Sequence, residues 1–361
     1  FYELLTLATY PLVVHRGTEK AMRAGHIYLA YTLTGGALLL TGTVWLYGLA
    51  GQVDFVQGGS LSALPLETAG QLQLIFLILI AGLGVKAALV PLHGWLPPAP
   101  VSALLHAVAV VKAGAFGIVR VVYEVYGIEF AQKLALLLPL AIAASITIIW
   151  GSLRALFQDD LKKRLAYSTV SQVSYIVLGV VLFGPLGTIG GLVHLVHQGI
   201  MKITLFFCAG NYAETLGIHK VSEMDGVGRR MPWTTLAFSL SAFGMIGVPP
   251  LAGFISKWYL GLGALEAGMP WVLAVLAASS LLNAAYFLPI LHRAWFRPAS
   301  APWPNEKIPR RRGWETAPLL LIPPLATAAA TLIVGLFAAS DFSPLDWAKL
   351  IADREYLQWT P

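Results

Sequence analysis

The stretch LQLIFLILIAGLGVKAALVPL, residues 72–92, decides the fold. It is long enough to cross a ~30 Å hydrocarbon core, which takes roughly 20 helical residues, and it carries one charge, Lys86, and one proline, Pro91. Comparable apolar runs cover 100–123, 134–156 and 318–339. Across all 361 residues 57% are hydrophobic and 12% charged, whereas a soluble domain has about 25% charged residues. A transmembrane barrel would show alternating segments of ~10 residues, and none is present. In lipid the backbone must then be satisfied within helices. The reading is an all-α, polytopic membrane protein of about ten spans: 1–15, 26–50, 71–92, 100–123, 131–153, 168–184, 187–212, 232–265, 269–292 and 316–339.

The 24 Lys and Arg residues sort by loop. One side holds Arg16, Lys20 and Arg23, then Arg154 and Lys162–Arg164, then Lys220, Arg229 and Arg230, then the basic run from Arg293 to Arg312. The other side holds Lys133 and the tail residues Lys349 and Arg354. This alternation makes the basic side cytoplasmic by the positive-inside rule in the expected bacterial or archaeal inner membrane; in a mitochondrion or chloroplast it would be the matrix or stroma side. The net charge of +6 is thereby explained without nucleic acid. The single cysteine, Cys208, can form no internal disulfide or iron–sulfur site. The eight histidines do not match a metal or haem arrangement, so no cofactor and no metal are expected. The chain begins at Phe1 inside an apolar stretch, as a piece of a longer protein lacking its first helices would.

Arg120 lies near a helix end, and five charges remain deep inside the spans. Counting 1.5 Å per residue from the expected helix ends puts Lys86 about 22 Å deep, Lys112 about 18 Å, Lys202 about 22 Å, Lys257 about 14 Å and Glu3 about 18 Å. An ammonium at mid-bilayer costs at least ~2.5–3.5 kcal/mol, and one carboxylate cannot neutralise four lysines. A buried lysine held near neutrality can accept and release protons. His194 lies two helical turns before Lys202 on the same face, and His106 precedes Lys112 by six residues. His93, His197 and His219 lack such support.

Prolines break two spans beside a lysine: Pro91 after Lys86, and Pro249-Pro250 before Lys257. Carbonyls freed by proline are tolerated at membrane depth only beside a cavity or buried in protein. The two breaks enter from opposite faces, a pattern that suits two inverted repeats with a site at each break.

The stretches GLGVKAALVPLHGWLP (82–97), APVSALLHAVAVVKAG (99–114), DDLKKRLAYSTVSQVSY (159–175), HLVHQGIMKITLFFCAG (194–210) and GVPPLAGFISKW (247–258) resemble the antiporter-like, proton-translocating subunits of respiratory complex I, membrane-bound hydrogenases and Mrp-type cation/proton antiporters. The resemblance implies two inverted five-helix repeats: the remainder of the first over 1–126, the second over 127–293, and a basic loop, final span and short outer tail over 294–361. About four N-terminal helices would be absent. It implies a relay in which Glu3 pairs with Lys86, Lys112 follows with His106 beside the path, His194 and Lys202 form the central link, and Lys257 is the exit-side lysine. Many relatives carry histidine where Gln198 stands; a glutamine can hold a water but cannot titrate. The link from Trp95 to Ser102 is about five residues shorter than in such relatives. The expected partners are other membrane subunits, lipid and protons, with Na⁺ in the antiporter alternative. A stand-alone anion transporter and an inert scaffold are the rival readings.

Overall fold

The computed structural model describes residues 2–98, 105–299, 303–307 and 314–356, with the side chains of residue 66 and of 105–107 set apart. Among the described residues the chain is helical and contains no strand. In order, α1 (Tyr2–Val14), α2 (Glu19–Ala50) and α3 (Ala69–Lys86) form a first group. The helix α4 (Val111–Arg120) is extended at both ends by π-helical turns, Leu105–Val110 and Val121–Tyr126. Then come α5 (Ile128–Lys133), α6 (Leu137–Leu156), α7 (Leu161–Val181), α8 (Pro185–Leu216), α9 (Val227–Arg230), α10 (Pro232–Ile246), α11 (Ala252–Glu266), α12 (Trp271–Phe296), α13 (Pro318–Leu336) and α14 (Pro344–Glu355).

Six of these helices, α2, α3, α6, α8, α12 and α13, are long and apolar enough to cross a membrane. The remaining expected spans fall on α1, on α4 with its π-helical ends, on α7 and on the α10/α11 pair. The charged start of α7 is helical because the Asp160 side chain accepts from Lys163 N at 2.9 Å and caps it, so this helix begins seven residues before the expected span. The chain is an integral membrane protein of all-α class.

The two breaks differ. The sequence predicts one broken helix over 71–92, but α3 ends at Lys86, and the residues up to Pro98 run in turns. Lys86 is thus the last helical residue, not an interior one. Its link to the next span continues into 99–104, outside the described residues. In the second break, Gly247 adopts φ 98° and caps α10, a conformation that favours glycine. Its N–H bonds to Phe243 O and Gly244 O, and Val248 N bonds to Phe243 O. Pro249 and Pro250 have no N–H, which leaves the last carbonyls of α10, on Met245 and Ile246, in need of other donors.

Helix α8 lies at the centre of the second half, packed by α7, α10, α11, α13 and α14. Its close crossing with α7 depends on absent side chains: a Cβ on Gly179 would lie 2.6 Å from Gly191 Cα. Such an approach lets polar groups on α7 and α8 meet directly. The tail folds as α14, capped by the Ser343 side chain, and packs on α8 through Leu345, Ala348 and Ala352.

Candidate functional site

On α3 the side chain of Lys86 is fully buried. Its Nζ donates to Tyr2 O and lies 3.3 Å from the centroid of the Tyr2 ring. The Tyr2 hydroxyl in turn donates to Gly82 O at 2.7 Å. Glu3, one residue on, makes no ion pair with Lys86 within 4.0 Å; both carboxylate oxygens are buried without a hydrogen-bond partner. Oε1 occupies the space that a Cβ on Gly36 of α2 would take. Glu3 and Lys86 are therefore neighbours in charge, while an aromatic ring and a carbonyl hold the ammonium.

The ammonium of Lys112, on α4, reaches α8, where a Cβ on Gly199 would overlap it. It thus lies one residue from Gln198 and three from Lys202 along the α8 sequence. His106 falls in the π-helical turn Leu105–Val110, and its side chain lies outside the described residues.

Helix α8 presents three fully buried polar side chains within one turn and a half, His194, His197 and Gln198, followed one turn later by Lys202. His194 Nδ1 and Ser256 Oγ share a hydrogen bond of 2.8 Å, and the ring stacks on Tyr175 at 5.0 Å. His197 Nδ1 donates to Ala252 O at 2.7 Å, which makes Nε2 the lone-pair nitrogen of the neutral ring. Both histidine Nε2 atoms, both amide atoms of Gln198 and of Gln172, and the Tyr175 hydroxyl are buried without a hydrogen-bond partner. Polar atoms in such density on facing helices are partners for water.

Lys202 Nζ donates to Ser168 Oγ at 2.7 Å and weakly to Leu165 O at 3.4 Å. Lys257, on α11, donates to Met245 O at 3.0 Å, Ile246 O at 2.9 Å and Ser280 Oγ at 3.0 Å. The proline break therefore explains this lysine's place: its ammonium serves the two carbonyls that the break leaves open. His194 and Lys202, expected together as the central link, bond to different helices, α11 and α7. His194 instead shares the Tyr175 ring with Lys257, whose Nζ is 5.5 Å from that ring's centroid.

The sequence pattern did not single out His197, Ser168, Asn283 or Tyr286. A signal was present in the last two: an Asn and a Tyr three residues apart in the otherwise apolar run of α12. The sequence also suggests a single buried carboxylate. Glu315 is a second, 1% exposed, but it accepts from Trp233 N and Thr234 N at the start of α10, apart from the lysines. Arg164, assigned to a loop by its sequence context, is likewise buried, donating to Gln158 O at 2.7 Å and Tyr286 O at 2.9 Å.

A family model described as NADH:quinone oxidoreductase/Mrp antiporter, transmembrane, matches residues 1–283. NADH-quinone oxidoreductase subunit N of Desulforudis audaxviator is 37% identical over 349 residues, covering 93% of this chain and 69% of that protein. A Na(+)/H(+) antiporter subunit of Alkalihalophilus pseudofirmus is 29% identical over 98% of this chain and 70% of its own length. Among solved structures, the Mrp complex from Dietzia sp. DQ12-45-1b contains a chain that superposes with a TM-score of 0.83 at 26% identity, covering 98% of this chain and 72% of that one.

Proposed function

This chain belongs to the NADH:quinone oxidoreductase/Mrp antiporter transmembrane family, and from that premise we propose that it moves protons through Glu3, Lys86, His106, Lys112, His194, Lys202 and Lys257 as a subunit of a complex I-like membrane assembly. The observation that carries the reading is the state of Lys202. It is fully buried, its ammonium bonds to a hydroxyl and a carbonyl, and no carboxylate lies within ion-pair distance of it among the described residues. A hydroxyl can accept from an ammonium or donate to an amine, so such a site has a bond for either state of the lysine, which is the property a relay needs.

In this reading the charge of Glu3 sets Lys86, and the state of Lys86 biases Lys112. The disturbance crosses to α8 at Gly199 and continues through Lys202 and the water-binding atoms around His194 and Gln198 to Lys257. Unit charges 4 Å apart interact by ~1 kcal/mol in water and several-fold more at lower dielectric, enough to shift proton occupancy from site to site. Residues 1–126 and 127–293 would be the two inverted repeats, the basic loops would face the cytoplasm, and neighbouring membrane subunits would supply the driving energy. The higher identity to the quinone oxidoreductase relative, 37% against 29%, favours a redox-driven host.

The likeness to the Mrp complex supports a second reading, an Mrp-type subunit exchanging Na⁺ for H⁺. The two separate on one measurement, since only the second makes proton flux depend on a Na⁺ gradient. The relay itself is tested by Lys202→Ala and Glu3→Ala in the assembled complex, with proton translocation recorded in membrane vesicles. Loss of translocation with normal assembly is expected; full translocation refutes the relay.

A further inference from the structure

Between Lys202 and Lys257 the structure holds an unbroken series of hydrogen bonds that bypasses the histidines. Ser168 Oγ receives Lys202 Nζ at 2.7 Å and the Tyr286 hydroxyl at 2.9 Å. That same hydroxyl also reaches Asn283 Oδ1. Asn283 Nδ2 donates to Met245 O at 3.1 Å, the carbonyl that accepts Lys257 Nζ at 3.0 Å. Five elements contribute: α7, α8, α12, the end of α10 and α11. Ser168, Asn283 and Tyr286 are all fully buried, so bulk water does not compete for these bonds.

A phenol has one hydrogen, yet two acceptors lie within its reach. Tyr286 can therefore serve Ser168 or Asn283, but not both at once. We propose that Ser168, Tyr286 and Asn283 form a reversible hydroxyl chain that transmits the protonation state of Lys202 to the seat of Lys257. With Lys202 charged, its ammonium donates to Ser168, Ser168 donates to Tyr286, and Tyr286 donates to Asn283. When Lys202 releases its proton to the α8 side, its lone pair accepts the Ser168 hydrogen. Tyr286 then turns to donate to Ser168, and Asn283 Oδ1 loses its donor. Linked hydrogen bonds polarise one another, so the amide's hold on Met245 O changes, and with it the carbonyl that Lys257 shares. Only O–H groups rotate, and no proton crosses the amide. Ser168 and Tyr286 are the switching hydroxyls; Asn283 is a positioning residue.

The charged and titratable groups facing this chain are Lys202, with Lys112 beyond it, Arg164 on the Tyr286 carbonyl, Tyr175 from α7 and Lys257 from α11. The inference rests on the relay reading, and the experiment separates the two. Proton uptake by inverted vesicles carrying the assembled complex is compared for Tyr286→Phe, Ser168→Ala, Ser168→Thr and Lys202→Ala. Tyr286→Phe and Ser168→Ala are expected to slow uptake roughly tenfold or more, while Ser168→Thr, which keeps the hydroxyl, stays within about twofold. Should Tyr286→Phe fail to assemble, the two Ser168 variants still decide. Full uptake in Ser168→Ala beside an inactive Lys202→Ala overturns the hydroxyl chain and leaves the relay standing. Equal slowing by Ala and Thr at position 168 overturns it too, since space rather than the hydroxyl would then matter. Full uptake in Lys202→Ala refutes the relay itself.

Discussion

Met245 O is served by two donors from different helices, Asn283 Nδ2 and Lys257 Nζ, and this sharing predicts a specific non-additivity. In Lys257→Met the carbonyl keeps Asn283, Ile246 O loses its lysine, and an ammonium leaves the membrane interior. The orphaned carbonyl costs about 1–3 kcal/mol. Removal of the charge returns about 2.5–3.5 kcal/mol, so the single variant is expected to be neutral to about 2.5 kcal/mol more stable. In Asn283→Leu the carbonyl keeps Lys257 and the Tyr286 hydroxyl keeps Ser168. The loss is about 1–3 kcal/mol, two ordinary hydrogen bonds. In the double variant Met245 O loses both donors, adding about 1–3 kcal/mol beyond the sum of the singles. The chain carries its own probe in Cys208, its one cysteine, which is buried and donates to Thr234 O at 3.3 Å. Maleimide labelling of this protein in the solubilised complex, followed on a gel against temperature, reads its exposure. At ~2–4 °C per kcal/mol for a domain of 150–250 residues, the double variant should unfold several degrees below the additive expectation. Midpoints additive to within about 0.5 kcal/mol would refute the shared carbonyl as a joint between the two side chains.

Gly199→Ala should slow proton translocation without loss of assembly, because its methyl displaces the Lys112 ammonium from α8; vesicle assays with a quantified protein band check both halves. Glu315→Ala should lower the protein's abundance in the membrane, since it removes bonds to Trp233 N, Thr234 N and Thr234 Oγ1, each worth about 1.5–3 kcal/mol to a charged acceptor. In the tail, burial and then the charge of Glu124 raise the Glu355 carboxyl above its ordinary range, against opposing Arg354 and Arg120. A raised acid penalises the docked form above its folded value, and the penalty is relieved as pH falls through that value. Hydrogen exchange over 344–355 should therefore slow, beyond its intrinsic pH dependence, in mild acid, and Glu355→Gln should remove this extra effect.

How much of this is legible without the tertiary structure follows from the range of the forces involved. That the chain spans a membrane as helices is decided by residues 72–92 and their counterparts, because an apolar window of membrane length and an intrahelical backbone are local properties. The burial of Lys86 and Lys202 and the partial burial of Lys257 are legible for the same reason, being position along a span. The proline break before Lys257 can also be read directly, because proline lacks an N–H wherever it stands.

What each buried group touches belongs to the tertiary structure alone. Lys86 meets Tyr2 rather than the carboxylate of Glu3, and His194 meets Ser256 and Tyr175 rather than Lys202. Ser168, Asn283 and Tyr286 converge from helices more than 100 residues apart in sequence, with Ser168 and Tyr286 separated by 118. A hydrogen bond acts over about 3 Å, so the rotation and approach of whole helices decide which polar atoms pair. That approach is set in part by glycines such as Gly179 and Gly191, whose contribution is the absence of a side chain. The apolar pattern places the lysines in the membrane; only the packing of α7, α8, α10 and α12 links them.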